Sequence, residues 1–217
     1  FDECWVPDAP GEINLAGALS HPLVLPQPPV HYIGPLSRFS QQPERSGGRY
    51  LLILLSGPEP QRSLLEERLL QDLENYKEPV VLVRGLPGGA DATSVGENVT
   101  VYNHLPAAEM EKIILDASLV IARCGYSTVM DLVAMKKQSI LIPTPGQTEQ
   151  EYLADHLMKM NFAFCVAQNK FRLENVLGLA NRFNYQPFAA NLERSLSRVV
   201  KQFLASIQNA PATKQPL

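Results

Sequence analysis

The sequence predicts an α/β protein built on a Rossmann-like parallel sheet with helices on both faces. Three observations lead there. From Tyr50 onward, apolar runs of strand length alternate with segments of helical period. The runs are near-continuous in Val, Ile and Leu, the composition of strands buried on both faces. Most successive runs are separated by enough chain for a crossover helix.

Residues 1–45 come first and are dense in Pro7, Pro10, Gly11, Gly17, Pro22, Pro26, Pro28, Pro29, Gly34 and Pro35. Proline lacks the amide donor and clashes with the preceding turn, so a long helix is excluded. The stretch reads as a linker, or the remnant of a preceding domain, with one short strand at Val30–Ile33. Strands are then predicted at Tyr50–Leu55, Val80–Arg84, Val99–Tyr102, Leu119–Ala122, Ser139–Ile142 and Ala163–Val166. Helices are predicted at Gln61–Asn75, Ala107–Ala117, Thr128–Lys136, Glu149–Met160 and Phe171–Asn181, with a last one from about Ala190 to Ile207. In Ala107–Ala117, Met110, Ile113, Ile114 and Ala117 fall on one face. The exception to the alternation is the pair Val80–Arg84 and Val99–Tyr102, joined by a glycine-rich loop (Gly85, Gly88, Gly89, Gly96) with no helix. Residues 46–208 therefore form the predicted domain, and 209–217 a polar tail.

Composition narrows the function classes. The 217 residues include 45% hydrophobic ones, enough to bury a core, and carry a net charge of −3. No broad basic footprint exists for a nucleic-acid backbone. Cys4, Cys124 and Cys165 are sparse and odd in number, and read as reduced thiols. No signal peptide pattern opens the chain, and the longest apolar stretch is far too short to span a bilayer, so a cytoplasmic location is expected. The abrupt start at Phe1 predicts that another domain precedes this one.

Ligands of open α/β sheets bind at the carboxyl ends of the strands, so the loops there carry the chemistry. After Leu119–Ala122, Gly125 permits a tight turn and Ser127 or Thr128 opens a helix. Backbone N–H groups at such a start, with the helix dipole, suit a diphosphate. Asp131, one turn inside, has the reach to accept hydrogen bonds from both hydroxyls of a ribose. Equally, Thr128 and Asp131 make a capping box, in which the acid only satisfies backbone donors. After Ser139–Ile142, Pro145 and Gly146 turn the chain and Thr148 begins a helix crowded with Gln147, Glu149, Gln150 and Glu151. Amides and carboxylates read sugar hydroxyls well, but Thr148 and Glu151 are again a capping box. Capping does not explain Gln150. After Val99–Tyr102, Asn103 could reach a base edge and Leu105 or Tyr102 pack on its face, while His104 reads as a solvated spacer more readily than as a base. After the first strand, Ser56 and Gly57 turn the chain without any phosphate-loop signature, and Gln61 and Arg62 read as a solvated first turn or as ligand-facing. No metal-ligand spacing is present, and no cofactor is expected.

Together these loops resemble the C-terminal, donor-binding domain of the MurG-like glycosyltransferases of GT-B architecture. The resemblance runs from about Tyr32 to Leu157 and is strongest in "ASLVIARCGYSTVMDLVAMKKQSILIPTPGQTEQEYLA". It implies that Gly125, Tyr126, Ser127 and Thr128 lie beside the diphosphate of a UDP-sugar and that Asp131 holds the ribose. It implies Gln150 and Glu151 on the transferred hexosyl group, and Asn103, His104 and Leu105 around the uracil. It implies metal-independent transfer, with the acceptor site and any acid–base group in an N-terminal domain that closes over the donor, a fragment inactive by itself, and a last helix that crosses back onto that domain. An acceptor associated with a membrane belongs to the same expectation. The sequence departs from the family pattern where Asp131 replaces a glutamate, where Gln150–Glu151 replaces a glutamine pair, and where "SGPEPQR" replaces a Gly-Gly-Ser turn. The acid at Glu151 counts against N-acetylglucosamine as the sugar. Two other functions share the architecture: a nucleotide-sugar epimerase using Glu149, Glu151 or His104, and a non-catalytic, partner-binding half of a split transferase.

Overall fold

The computed structural model describes residues 2–39, 48–86, 93–189 and 195–208. Gly88, Gly89, the predicted helix start at Ala190 and the tail 209–217 lie outside them. A first pair of strands, β1 (Cys4–Val6) and β2 (Val30–Tyr32), forms a small parallel sheet. The main elements follow in order as β3 (Tyr50–Leu54), α1 (Gln61–Leu73), β4 (Val80–Val83), β5 (Thr93–Val95), β6 (Val99–Tyr102) and α2 (Ala107–Asp116). Then come β7 (Ala117–Arg123), α3 (Tyr126–Ala134), β8 (Ser139–Ile142), α4 (Thr148–Lys159), β9 (Phe164–Cys165), α5 (Leu173–Ala180) and α6 (Ser195–Gln208).

The seven-stranded sheet has the order β5-β6-β4-β3-β7-β8-β9. Every pairing is parallel except β5 on β6. The expectation of a parallel sheet holds, with β5 added as an antiparallel edge. The sequence signal missed β5 because all three of its residues are exposed and make no apolar run. Helices cover both faces. Ile114 of α2, Val129 and Leu132 of α3, and Leu153 and Leu157 of α4 pack one side. Leu65, Leu69 and Leu73 of α1 and Leu173 and Val176 of α5 pack the other. The chain winds outward from β3 through β4 to β6, then returns to lay β7 against the other side of β3 and continues to β8 and β9. The topological switch point therefore falls between β3 and β7, where doubly wound sheets open a ligand crevice at their carboxyl ends.

Part of the stretch read as a linker, residues 6–20, is a packed wall. Asp8 is fully buried, and its carboxylate accepts hydrogen bonds from the Ala9, Leu15 and Ala16 amides (2.7, 2.9 and 2.9 Å) and from the Ser20 hydroxyl (2.7 Å). Two side chains of α4 hold the loop so formed: the Ala18 amide donates to the Tyr152 hydroxyl (2.8 Å), and His156 Nε2 meets the Asn14 carbonyl (3.0 Å). Gly17 sits at φ +53°, and a Cβ there would lie 2.5 Å from the Tyr152 hydroxyl. A polar network with no apolar period leaves no helix or strand signal, which is why the sequence reads as linker. The last helix packs against the small sheet, with Phe203 edge-on to Trp5 at 5.4 Å between ring centroids.

Candidate functional site

At the carboxyl edge of the sheet, a crevice of about 770 Å³ opens between the start of α3 and the start of α4. Cys124, Gly125 and Tyr126 line one side, and Gly146, Gln147, Thr148, Glu149 and Gln150 the other. Val6, Pro7, Ala16, Leu19 and Ser20 of the N-terminal wall close it from above. The wall is fastened to α3 by the Tyr126 hydroxyl, which donates to the Pro7 carbonyl (2.7 Å). Burial and the neighbouring Asp8 carboxylate push the Tyr126 phenol far up, so it stays a neutral donor.

Both helices begin earlier than the capping boxes predict. Gly125 and Gln147 occupy the N-cap positions in extended backbone, and neither start carries a side-chain cap bond. Thr128 is thus the third residue of α3 and Thr148 the first of α4, so neither hydroxyl stands at an N-cap. The backbone donors of both first turns are left without side-chain caps, the arrangement that suits an anion.

The two acids turn elsewhere. Asp131 is buried, and its Oδ1 accepts from the Ser37 hydroxyl (2.8 Å) and the Arg38 amide (3.4 Å), while Oδ2 pairs with Arg38 Nε (3.2 Å). Glu151 Oε1 accepts from the Gly146 amide (3.1 Å). The pair Gln150–Glu151 is split between two cavities. Gln150 lines the crevice, with its Oε1 accepting from the Thr144 amide (2.9 Å) and its Nε2 bonded to Gln147 Oε1. Glu151 lines a separate cavity of about 370 Å³ on the β9 side of α4, together with Asp155 and Gln168. Ser127 is exposed and Thr128 half-buried.

The remaining predicted residues lie away from the crevice. Asn103, His104 and Leu105 follow β6, which β4 and β3 separate from β7. Asn103 Oδ1 accepts from Arg84 (3.1 Å), His104 is exposed, and Leu105 is buried. Ser56 and Gly57 form an exposed turn, with Gly57 at φ +100°. The solvated first turn read for Gln61 and Arg62 does not hold. Arg62 is buried and ion-paired to Glu59 (2.6 Å) and Glu66 (2.7 Å), and Glu66 also holds Arg84. Gln61 is half-buried and its Oε1 accepts from Gln168 (3.1 Å). The buried acid four residues on in α1 draws Arg62 inward.

Arg123 was missed altogether. The sequence reading ended its strand at Ala122, yet β7 continues and puts Arg123 on the same face as Ile121, 1% exposed. Its Nη2 donates to the Gln61 carbonyl (2.6 Å) at the start of α1, and its Nη1 to the Pro143 carbonyl at a marginal 3.5 Å after β8. Nε has no partner; the buried hydroxyl of Thr144, whose oxygen would lie 3.5 Å from a Cβ at Gly57, has none either. Among the described residues no carboxylate pairs with this guanidinium, and burial alone lowers its pKa to about 10, which leaves it charged at neutral pH. A cation at the end of an apolar run, two residues before Gly125, is the available signal.

Comparison with known proteins agrees with this architecture. Residues 61–205 match the glycosyltransferase family 28 C-terminal domain. A curated relative, the UDP-N-acetylglucosamine–N-acetylmuramyl-(pentapeptide) pyrophosphoryl-undecaprenol N-acetylglucosamine transferase of Caldicellulosiruptor saccharolyticus, is 24% identical over 98 residues, covering 44% of this chain and 26% of that protein. Among solved structures, the glycosyltransferase SnogD from Streptomyces nogalater superposes with a TM-score of 0.61 at 16% identity over 93% of this chain and 55% of that one. MurG of Acinetobacter baumannii superposes with a TM-score of 0.53 at 18% identity over 85% and 58%. At such identities the structural likeness speaks to the fold, and the chain spans about a quarter of the curated relative and a little over half of these two structures. The family match covers well over half of the sequence, and the chain belongs to the glycosyltransferase family 28 C-terminal domain, the C-terminal half of a MurG-like GT-B fold.

Proposed function

We propose that this chain is the donor-binding half of a hexosyltransferase and takes a UDP-sugar in the crevice between α3 and α4. The observation that supports it best is the pair of side-chain-uncapped helix starts, at Tyr126 and Thr148, facing one cavity at the sheet's carboxyl edge. A diphosphate accepting from both sets of N–H groups would be held there, and the same donors would stabilise the charge growing on the leaving nucleotide as the glycosidic bond breaks. Gln150 reaches the crevice and would read sugar hydroxyls. For Asp131 to hold the ribose, a ribose hydroxyl must replace that of Ser37, one hydroxyl donor exchanged for another. The acceptor, its association with a membrane, the acid–base group and the cytoplasmic location belong to the proposal for the full-length protein, with acceptor and base on a preceding domain and no metal ion required. Membership of a transferase family gives no support to the epimerase alternative.

The test is a calorimetric titration with UDP, GDP and dTDP, then UDP-sugars, on the full-length protein and on Asp131→Ala. Selective UDP binding that Asp131→Ala weakens at least tenfold, about the loss of one charged hydrogen bond, is expected. Equal affinity in the variant would remove Asp131 from the site, and no binding of any nucleotide by the natural protein would refute the donor reading.

A further inference from the structure

We infer that residues 33–39 compete with the donor for Asp131: the segment covers the carboxylate until a ribose displaces it, and donor binding thereby frees the segment from α3. The inference rests on the donor reading above, in which Asp131 takes the ribose, and names what that reading requires of the rest of the chain. Asp131 is 9% exposed. Its Oδ1 accepts from the Ser37 hydroxyl (2.8 Å) and the Arg38 amide (3.4 Å), and its Oδ2 faces Arg38 Nε (3.2 Å). Two consecutive residues of one segment thus engage both oxygens. A vicinal diol that grips a carboxylate donates to both oxygens, as an arginine fork does. Each oxygen keeps a free lone pair, so it is the cover, and not a full set of donors, that excludes the sugar. No diol reaches this acid until Ser37 and Arg38 withdraw together.

The segment is anchored at both ends and lightly held between them. Upstream, the Ile33 amide donates to the Val6 carbonyl (2.9 Å) and the Gly34 amide to the Asp8 carbonyl (3.0 Å), which ties it to β1 and the wall. Downstream, Phe39 is buried in the core on the α3 side of the sheet. In the middle, the Leu36 amide rests on Met130 Sδ (3.2 Å), and Ser37 and Arg38 hold Asp131. Release of that middle exposes little apolar surface. The Arg38 side chain is already 61% exposed and lies over the Phe39 ring (4.8 Å), and the Ser37 hydroxyl keeps the Phe39 amide as a donor (3.1 Å). What is lost is the pair of contacts to the carboxylate, and a ribose replaces them with two hydroxyls. The cover lowers the apparent affinity by the fraction of time it is closed. By linkage, the donor weakens the segment's hold on α3 by the same factor. Since the segment is bonded to the wall, occupancy of the acid is felt there too, while Tyr126 stays as the wall's other fastening to α3.

The test is the affinity of the full-length protein for UDP and for 2′,3′-dideoxy-UDP, in wild type, Ser37→Ala and Asp131→Ala. Ser37→Ala takes one hydroxyl from the covering segment and none from the sugar. It is expected to tighten UDP about threefold to tenfold, the range of one net hydrogen bond, and to leave the dideoxy nucleotide within about twofold. In hydrogen exchange on wild type, the amides of Leu36 and Arg38, which donate to Met130 and Asp131, are expected to exchange faster when UDP is saturating. Unchanged or weakened UDP affinity in Ser37→Ala, an equal gain for both nucleotides, or slower exchange at Leu36 and Arg38 overturns the inference, since a segment that props the acid or only supports the fold behaves so. If Asp131→Ala binds UDP as wild type does, the ribose role of Asp131 fails and takes the inference with it. Failure of wild type to bind UDP refutes the donor reading itself and is seen without any variant.

Discussion

Replacing Glu66 by glutamine tests whether the start of α1 is a buried ionic network. The side chain keeps its volume but loses its charge and one of its two acceptor oxygens, so no cavity confuses the result. Arg62 and Glu66 are 7% and 8% exposed at the side chain, with Nη1 2.7 Å from Oε2. Breaking a buried pair by removing one charge costs about 3–5 kcal/mol. Two features lower that here. Arg62 keeps Glu59 at 2.6 Å, a carboxylate half exposed to water, and Arg84, 35% exposed, can turn to solvent. A loss of about 2–3 kcal/mol remains, about 4–12 °C in melting temperature for a domain of this size. Thermal melts and urea titrations followed by circular dichroism measure it. The double variant Arg62→Met, Glu66→Met removes both charges and should recover to within about 1 kcal/mol of wild type, because replacing a buried pair together leaves no orphan. A single-variant loss below about 0.5 kcal/mol, with an unchanged urea slope, would refute the network and return Arg62 to the solvated turn that the sequence suggests.

Three further outcomes follow from the same structure. Asp8→Ala leaves three buried amides without their acceptor and should cost about 3 kcal/mol by chemical denaturation, with the wall of the crevice loosened in hydrogen exchange at residues 9–20. Gly17→Val forces a branched side chain into φ +53° and against Tyr152 and His156, and should destabilise by about 2–4 kcal/mol while leaving the main sheet's exchange protection intact. Stability should also fall in alkali. Burial raises the Cys124 thiol from 9.0 to about 12 and the Tyr50 phenol from 10.0 to about 12, so their contribution is full below pH 9 and is lost as pH rises towards 12. Urea midpoints that stay level from pH 8 to 11.5 would contradict this.

The sheet was legible wherever a strand is a continuous apolar run: Tyr50–Leu54, Val80–Val83, Val99–Tyr102 and Ser139–Ile142 fall within a residue of their predicted bounds. What escaped was polar. Arg123 reads as a strand end, although the backbone continues beneath it, because a lone cation says nothing of whether two carbonyls await it. Asp8 organises a dozen residues through backbone amides, a relation without periodicity. The two threonine-initiated capping boxes were real patterns at real helix starts, yet each helix begins one or two residues early and each acid finds another partner. The crevice itself was legible from Gly125 and Gln150 and the loop positions. Its roof of Val6, Pro7 and Leu19 was not, since only the folded wall brings it there.

The sheet ends in β5, three exposed residues, on one margin and in β9, two residues, on the other. A polypeptide arriving as an eighth strand would find a ladder too short to hold it, and protection of this kind keeps parallel sheets from growing into one another. Among the described residues, a companion meeting the main sheet would therefore be held side chain to side chain, across the carboxyl-edge crevice or the helical faces, where shape and charge decide more than backbone pairing does.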